Sequence, residues 1–350
     1  MIVARSFDPT SGRLAEDTVE VAGPIAFTGG LGFGSFSVSS TGVIAYTAGT
    51  ASVATTGIFW LDRQGRPLGM LAAGTDLSSY NSYSVRLSPD GRWAVLSTFP
   101  SATADLELVD IARDVKSRFT FDGANELYPV WSSDGTEILF SSNRAGAYNL
   151  FRKSAAGSGD EHLFRKAASH QYATDWSRDG RTIVFTNLDP KTQSDIWMTP
   201  ASGDGTATPV LATTFNEYAA RVSPDGHWMA YTSDESGRPE VYVQRFPSLG
   251  DKSQISTQGG SEPQWRNDGR ELFYLAADRT LNVVSCTTAS IFTAGRPTRL
   301  FDAIVDTTLG SIHATHYAQT NDGQRFLVNM ATASRAPTTV VLNWMAALRK

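Results

Sequence analysis

The sequence contains a single cysteine, Cys286, which excludes an internal disulfide and any metal site built from several cysteines. Long apolar runs are also missing, since no stretch reaches the roughly 18 consecutive apolar residues that predict a membrane-spanning helix. Positive charge is not in excess, because 30 basic and 35 acidic side chains give a formal charge of −5. This balance excludes a nucleic-acid-binding protein that relies on a general basic field.

The first residues, Met1 to Asp8, lack the charged, apolar and small-residue zones of a signal peptide. They have the pattern of a strand that is already under way. The sequence therefore predicts either a cytoplasmic protein or a piece of a longer one.

Glycine and aromatic residues are abundant, with 30 Gly, 18 Phe, 11 Tyr and 8 Trp, and no long helical pattern occurs. The 41% of apolar residues is enough for folding, and the 19% of charged residues is too low for disorder. These features together predict an all-β protein.

One block recurs along the chain, with a short alternating run, a turn that contains glycine, and then an apolar run. The copies are marked by their turn glycines, which are Gly42, Gly91, Gly135, Gly180, Gly226, Gly269 and Gly323. Successive glycines are separated by 49, 44, 45, 46, 43 and 54 residues. A period of this length is typical of a repeat architecture.

The turn sequence explains the hairpin in each block. In Ser223-Pro-Asp-Gly226, proline presets one backbone torsion, aspartate accepts local hydrogen bonds and glycine supplies the left-handed conformation. A third strand such as Glu240–Val243 and a weaker fourth strand such as Lys252–Ser256 follow. Four short antiparallel strands in each period predict a β-propeller blade.

We predict one β-propeller domain over residues 1–350, built from four-stranded antiparallel blades. Residues 28–305 are predicted to form six complete blades. Residues 1–27 and 306–350 are predicted to form a composite seventh blade from both termini, because this closure hides the sheet edges. The tryptophans Trp131, Trp176, Trp228 and Trp265 are predicted to pack between neighbouring blades.

The segments Trp131–Gly135, Trp176–Gly180 and Ser223–Gly226 carry the repeat core of a known family. In these residues the chain resembles the TolB-like, WD40-like β-propellers of bacteria, and the resemblance covers nearly the whole chain. The segments Tyr231–Arg238, Glu271–Ala277 and Thr339–Trp344 further resemble the C-terminal sensor region of bacterial eukaryotic-like serine/threonine protein kinases. This resemblance implies an extracytoplasmic (periplasmic) location, although a cytoplasmic one stays open.

Catalytic motifs of two enzyme classes are absent from the sequence. A kinase needs a glycine-rich loop, a strand lysine, His-Arg-Asp and Asp-Phe-Gly, and Phe121-Asp-Gly123 has the wrong order. The Gly-x-Ser-x-Gly elbow of a serine hydrolase does not occur either. We therefore predict that the chain is not an enzyme, and an enzyme built from loops at the channel mouth is the weakest hypothesis.

Other residues with chemical potential have simpler interpretations. Gly29–Gly34 precedes a strand rather than a helix, which favours an inter-blade loop over a phosphate loop. His313 and His316 lack a helix and a Glu-x-x-His partner, so a surface loop is predicted, with no metal and no cofactor. The aspartate of each Asp-Gly turn is predicted to serve its own turn.

Polar residues recur just before the innermost strand of several blades, where a propeller would gather them at one mouth of its channel. The predicted ligand-binding or partner-binding site consists of Asn81, Asn125, Glu126, His170, Gln171, Asn216, Glu217 and Glu262. Carboxylates and amides in a ring favour a cation, an amine or a basic peptide, and the alternative is that they satisfy backbone groups. Secondary candidates are Asn143, Arg144, Asp234, Glu235 and Arg238.

Two function hypotheses follow. The first is a non-catalytic sensor module, as part of a receptor kinase, that engages a protein, a peptide or a small ligand at the channel mouth. The second is a TolB-like structural scaffold that docks a partner protein on one face. In both, we predict a monomer with no nucleic-acid partner and no membrane span in this chain.

Overall fold

The computed structural model describes residues 2–23, 25, 27–28, 33–34, 36–39, 41–47, 55–72, 82–98, 103–303, 313–332 and 338–349. The chain divides into two compact units. One contains Met1–Thr55 and Thr332–Lys350, and the other contains Thr56–Ala331.

The first unit begins with eight short strands. They are β1 (Ile2–Ala4), β2 (Phe7–Asp8), β3 (Arg13–Leu14), β4 (Val19–Ala22), β5 (Phe27–Thr28), β6 (Phe33–Gly34), β7 (Phe36–Val38) and β8 (Val43–Thr47). Antiparallel pairs form between β1 and β4, β2 and β3, β5 and β6, and β7 and β8.

The second unit contains six sheets in its described residues, which we name blades 1 to 6. Its first strands, β9 (Thr55–Asp62) and β10 (Pro67–Met70), belong to blade 6. Blade 1 contains β11 (Ser82–Leu87), β12 (Trp93–Thr98), β13 (Asp105–Asp110) and β14 (Val115–Arg118). Blade 2 contains β15 (Glu126–Trp131), β16 (Glu137–Ser142), β17 (Asn149–Ser154) and β18 (His162–Arg165).

The next blades follow the same pattern. Blade 3 contains β19 (Gln171–Trp176), β20 (Thr182–Asp189), β21 (Gln193–Pro200) and β22 (Thr208–Leu211). Blade 4 contains β23 (Glu217–Val222), β24 (Trp228–Ser233), β25 (Glu240–Arg245) and β26 (Ser253–Gln254). Blade 5 contains β27 (Gly260–Trp265), β28 (Glu271–Ala276), β29 (Thr280–Thr287), β30 (Thr293–Ala294) and β31 (Thr298–Asp302).

Blade 6 is composite, because β32 (Tyr317–Gln319) and β33 (Arg325–Thr332) pair with β9 and β10 in the order β10-β9-β33-β32. The remaining elements lie in the first unit. They are β34 (Thr338–Leu342), which pairs with β8, and a 3₁₀ helix over Trp344–Arg349. Ala22, Ile25, Ile44 and Tyr46 form the small buried core of that unit.

The blades of the second unit close into a ring. Buried apolar clusters lie between blades 1 and 2, 2 and 3, 3 and 4, 4 and 5, 5 and 6, and 6 and 1. The innermost strands β32, β11, β15, β19, β23 and β27 follow one another around the axis. Each blade buries its apolar faces only against its two neighbours, so the stability of the ring depends on its closure.

The structure differs from the prediction in how the ring closes. Hairpin β32–β33, which was assigned to a blade closed by both termini, takes its outer strands from residues 55–70 instead. The repeat pattern predicts where the hairpins lie, but it does not predict which hairpin each outer strand pairs with. Residues 1–27, which the prediction places in the same blade as this hairpin, belong to the first unit, where the hairpin around Gly42 pairs with β34.

Candidate functional site

The channel of the ring has two ends, which are distinguished by the direction of the innermost strands. The strand-start end is where β15, β19, β23 and β27 begin, at Glu126, Gln171, Glu217 and Gly260. The turn end is where these strands run into the Asp-Gly turns. One residue of each turn lies around the turn end: Pro89, Ser133, Arg178, Pro224, Asn267 and Asn321.

Four predicted site residues lie together at the start of blade 2, and one of them bonds to the segment that leads into β13 of blade 1. The side-chain oxygen of Asn125 accepts a hydrogen bond from the Ala104 N–H (2.9 Å), and Asn143 accepts one from the Asn125 N–H (2.9 Å). Glu126 is fully buried, and its Oε1 accepts from the Ser142 hydroxyl (2.9 Å) and from Arg144 (3.0 Å). Burial raises the pKa of Glu126 to about 7, against the lowering effect of these two donors.

Blade 4 holds a related but differently charged set. The Asn216 backbone N–H and Nδ2 donate to the Asp234 carboxylate (2.9 and 2.8 Å). Buried Glu217 accepts from the Thr213 hydroxyl and N–H, and burial raises its pKa to about 7. Glu235 pairs with Lys252 (2.6 Å) and Arg238 pairs with Glu240 (2.8 Å). Their observed partners lie within the same blade.

The remaining predicted residues do not join these networks. His170 accepts a hydrogen bond from the Tyr148 N–H (3.1 Å), and Gln171 is buried. Glu262 faces His316 inside the channel, with 2.6 Å between Oε1 and Nδ1. Asn81 lies outside the described residues. A binding role for the predicted set stays a prediction. Several members accept hydrogen bonds from backbone N–H groups of the preceding blade, such as those of Ala104 and Tyr148, which matches the alternative that they satisfy backbone groups.

Aromatic rings fill the channel near the strand-start end. His313 lies between Tyr128, Tyr172 and Tyr218, with ring centroids 6.1, 4.3 and 6.0 Å away. Burial lowers the pKa of His313 to about 3, so the ring is neutral at physiological pH. The prediction of a surface loop at His313–His316 is therefore wrong, because His313 is half-buried among these rings and His316 is buried.

The turn end is open and contains a cavity of about 270 Å³. Polar and charged side chains from four blades line it: Arg86, Asp175, Arg221 and Gln264. Indole rings from blades 2, 3 and 5 form part of its wall: Trp131, Trp176 and Trp265. The site predicted from the sequence does not include these residues.

β-Bulges in the innermost strands affect which of their side chains face the cavity. Register shifts occur between Ala173 and Asp175, between Tyr218 and Arg221, and between Ser261 and Gln264. A bulge inserts an extra residue and re-aims the side chains that follow it. One sequence signal could have revealed the site. At the position five residues before the turn glycine, some blades have an apolar residue and others have a charged one. The residues at this position in blades 1 to 6 are Arg86, Val130, Asp175, Arg221, Gln264 and Ala318.

Arg86 and Arg221 converge on one backbone oxygen. Arg86 Nη2 donates to the Thr174 carbonyl (3.2 Å), and Arg221 Nη1 donates to the same oxygen. Arg221 also donates to the Ala220 carbonyl (3.1 Å) and to the Thr315 hydroxyl (3.4 Å). Among residues 82–98, 103–303 and 313–332, neither guanidinium has a carboxylate within salt-bridge distance.

Burial changes the ionisation of the charged groups in the cavity. It lowers the pKa of Arg86 to about 10, although Asp175 and Glu262 oppose this change. It raises the pKa of Asp175 to about 7, although the Val222 N–H, which donates to Oδ2 (2.8 Å), and Arg86 oppose the increase. The cavity thus combines two cations with a carboxyl group that titrates near neutrality.

Two further kinds of site are not found in the part of the chain that the structure describes. The described ranges contain no group of three or more His, Cys, Asp and Glu residues that could hold a metal ion. Within the same ranges, no helix has the length and apolar character that crossing a membrane requires.

No protein-family model matches the chain. A protein assigned as TolB from Agrobacterium tumefaciens matches with a TM-score of 0.61 and 15% identity, over 80% of this chain and 99% of that chain. TolB from Acinetobacter baumannii matches with a TM-score of 0.53 and 14% identity, over 81% of this chain and 64% of that chain. The chain therefore has the TolB-like fold, and the prediction of an all-β propeller with four-stranded antiparallel blades is confirmed.

The prediction that the chain is not an enzyme is contradicted. An oligogalacturonate lyase from Vibrio parahaemolyticus matches with a TM-score of 0.52 and 12% identity, over 96% of this chain and 98% of that chain. Enzymes therefore occur among proteins of this fold, and a missing kinase or hydrolase motif does not exclude catalysis.

Proposed function

We propose that the ring is a recognition module that binds its ligand in the cavity at the turn end of the channel. The observation that carries this proposal is the placement of Arg86, Asp175 and Arg221 in one cavity, with no salt bridge to the arginines among the described residues. Charged groups that are removed from water without pairing destabilise a fold. Their presence is better explained by binding than by folding.

The repeat itself supports this argument. At the same strand position, blade 2 has Val130 and blade 6 has Ala318. A blade can therefore form with an apolar residue there, and the charges at this position in blades 1, 3 and 4 are not required by the blade geometry. The indole rings of Trp131, Trp176 and Trp265 add apolar surface, which most ligand sites contain.

We also propose a cellular context for this module, with one alternative. Segments Tyr231–Arg238 and Glu271–Ala277 support a sensor region of a receptor kinase, with an extracytoplasmic location. The TolB-like fold supports the alternative of a scaffold that docks a partner protein on one face. Sequencing the gene around this segment tests the first, because a kinase domain and a membrane span in frame are then expected.

A screen by thermal shift, followed by calorimetry, tests ligand binding. The compounds are small acids, amines, neutral sugars and tripeptides, applied to the wild type and to Ser133→Trp, which places an indole at the rim of the cavity. We expect at least one compound to bind the wild type and to lose affinity in Ser133→Trp. The matched control is Ser236→Trp, at an exposed serine in a loop of blade 4, which should bind as the wild type does.

Two results would contradict the proposal. One is that no compound of any class binds the wild-type protein. The other is that binding survives in Ser133→Trp but is lost in His170→Ala or Glu217→Gln, because this would move the site to the strand-start end. A partner protein that is lost only on substitution of exposed face loops would favour the scaffold.

A further inference from the structure

Arg86 and Arg221 place two positive charges side by side, because both donate to the carbonyl oxygen of Thr174. Arg221 is only 7% exposed. Two like charges this close repel each other, and the repulsion is stronger inside a protein than in water. Protein interiors normally compensate such groups with an anion. In the described part of the chain, the arginines bond to neutral oxygens, and Asp175 and Glu262 act on Arg86 only from beyond salt-bridge distance.

Several hydrogen-bond donors around the cavity lack a partner. The Nε–H groups of Arg86 and Arg221 are buried and donate to no acceptor among the described residues. The indole N–H of Trp131, a side chain that is 8% exposed, is in the same situation. Buried donors without acceptors are rare in folded proteins and call for an explanation. An acceptor-rich ligand in the cavity provides one.

We infer that the ligand of the turn-end cavity is a small carboxylate held by the guanidinium groups of Arg86 and Arg221, an inference that rests on the proposed function. The planar guanidinium fork matches the two oxygens of a carboxylate. A cavity of about 270 Å³ suits a ligand smaller than a typical drug. The indoles of Trp131, Trp176 and Trp265 then contact the body of the ligand.

Asp175 favours a carboxylate over a more highly charged anion. Its carboxyl group lines the same cavity as the two arginines. A dianion such as phosphate would meet stronger repulsion from this group than a singly charged carboxylate does. Gln264 adds a neutral polar group, whose Nε2 already donates to the Tyr317 carbonyl (2.6 Å).

Calorimetry with acid–neutral pairs of matched shape tests the inference. The probes are benzoate against benzamide, D-glucuronate against D-glucose, and inorganic phosphate. We expect at least one acid to bind ten times or more tightly than its neutral partner. We expect Arg86→Met, which keeps much of the side-chain volume, to weaken that binding by at least tenfold, as loss of a charge-assisted hydrogen bond implies.

The control is Arg92→Met, which removes an exposed arginine from the hairpin turn of the same blade and should leave affinity unchanged. Circular dichroism establishes that each variant is folded, and Arg221→Lys provides a second variant that keeps the charge but loses the fork. Equal affinity for acids and neutral partners, tighter binding of phosphate, or unchanged binding in both arginine variants would overturn the inference. The proposed function survives each of these results as long as the ligand that binds is lost in Ser133→Trp. It fails when no compound binds, or when binding survives in Ser133→Trp but is lost in His170→Ala or Glu217→Gln.

Discussion

A serine and an aspartate hold the hairpin turns of blades 1 to 4 through side-chain hydrogen bonds. In blade 4, the Ser223 hydroxyl donates to Asp225 Oδ1 (2.5 Å) and accepts from the Trp228 N–H (2.9 Å). Burial alone would raise the pKa of Asp225, but hydrogen bonds from Ser223 and Thr288 keep it below its ordinary value. The sequence predicts the role of the aspartate correctly, and the structure adds the serine.

Replacing this serine tests its contribution to stability. We expect Ser223→Ala to lower the free energy of unfolding by about 1–3 kcal/mol, because the buried Trp228 amide loses its acceptor. Chemical denaturation measures the change. The exposed serine of the same blade, Ser236, gives the control, for which Ser236→Ala should cost less than about 0.5 kcal/mol. Equal effects of the two substitutions would contradict this account.

Glu217 makes stability depend on pH. Burial raises its pKa from the ordinary value of 4.5 to about 7, and Asp195 and Glu235 add to this increase. Between pH 4.5 and about pH 7, the folded state keeps a proton at Glu217 that the unfolded state has released. The free energy of unfolding therefore falls as the pH rises. Glu217→Gln keeps an acceptor for Thr213 and removes the charge. We expect its melting temperature to exceed that of the wild type by roughly a few degrees at pH 8, and the difference to disappear near pH 4.5.

Glu126 gives a second test, since it starts the inner strand of blade 2 as Glu217 starts that of blade 4. Burial raises its pKa to about 7 even though Arg144 donates to its carboxylate (3.0 Å). We therefore expect the melting temperature of Glu126→Gln to exceed that of the wild type at pH 8 as well, and this gain to disappear near pH 4.5. A gain that does not change with pH in either variant would show that burial of the charge is not the cause.

At the scale of the strand, the bulges separate what sequence can predict from what it cannot. The hairpins follow from the Asp-Gly turns and from the apolar runs beside them, and they are found where the repeats place them. A bulge shifts one residue within a strand and leaves no consistent mark in a pattern of period two. For this reason Asp175 and Arg221 were not recognised as channel residues, whereas the strands that carry them were.

Substitution of tryptophans tests how much packing between blades contributes to stability. Trp228 of blade 4 is fully buried and contacts Phe292 of the segment between β29 and β30, with ring centroids 5.4 Å apart, as the inter-blade prediction requires. We expect Trp228→Ala to lower the free energy of unfolding by about 3–5 kcal/mol. Trp176 is partly exposed at the cavity, so Trp176→Ala should cost clearly less. Equal losses, measured by chemical denaturation, would show that burial between blades does not set the cost.

At the scale of the ring, the closing contact joins segments that are far apart in sequence. Arg63, in the turn between β9 and β10, donates to the Gly323 carbonyl of blade 6 (2.8 Å) and pairs with Glu271 of blade 5 (2.6 Å). The pair is mostly buried, with 20% and 17% of the side chains exposed. The sequence repeats alone do not predict this contact, because it depends on which outer strands pair with the hairpin β32–β33.

We therefore expect Arg63→Ala to loosen the closure of the ring. Loss of the partner leaves Glu271 and the Gly323 carbonyl partly unsatisfied, so the outer strands of blade 6 should open more often. Hydrogen exchange should speed up in residues 55–70 and 317–332 together, with smaller changes in blades 2 and 3. Arg66→Ala is the matched control, since Arg66 lies in the same turn, is 75% exposed and pairs only locally with Asp62 (2.6 Å). Faster exchange confined to residues 55–70, or equal changes in both variants, would mean that Arg63 stabilises its own turn and does not hold the ring closed.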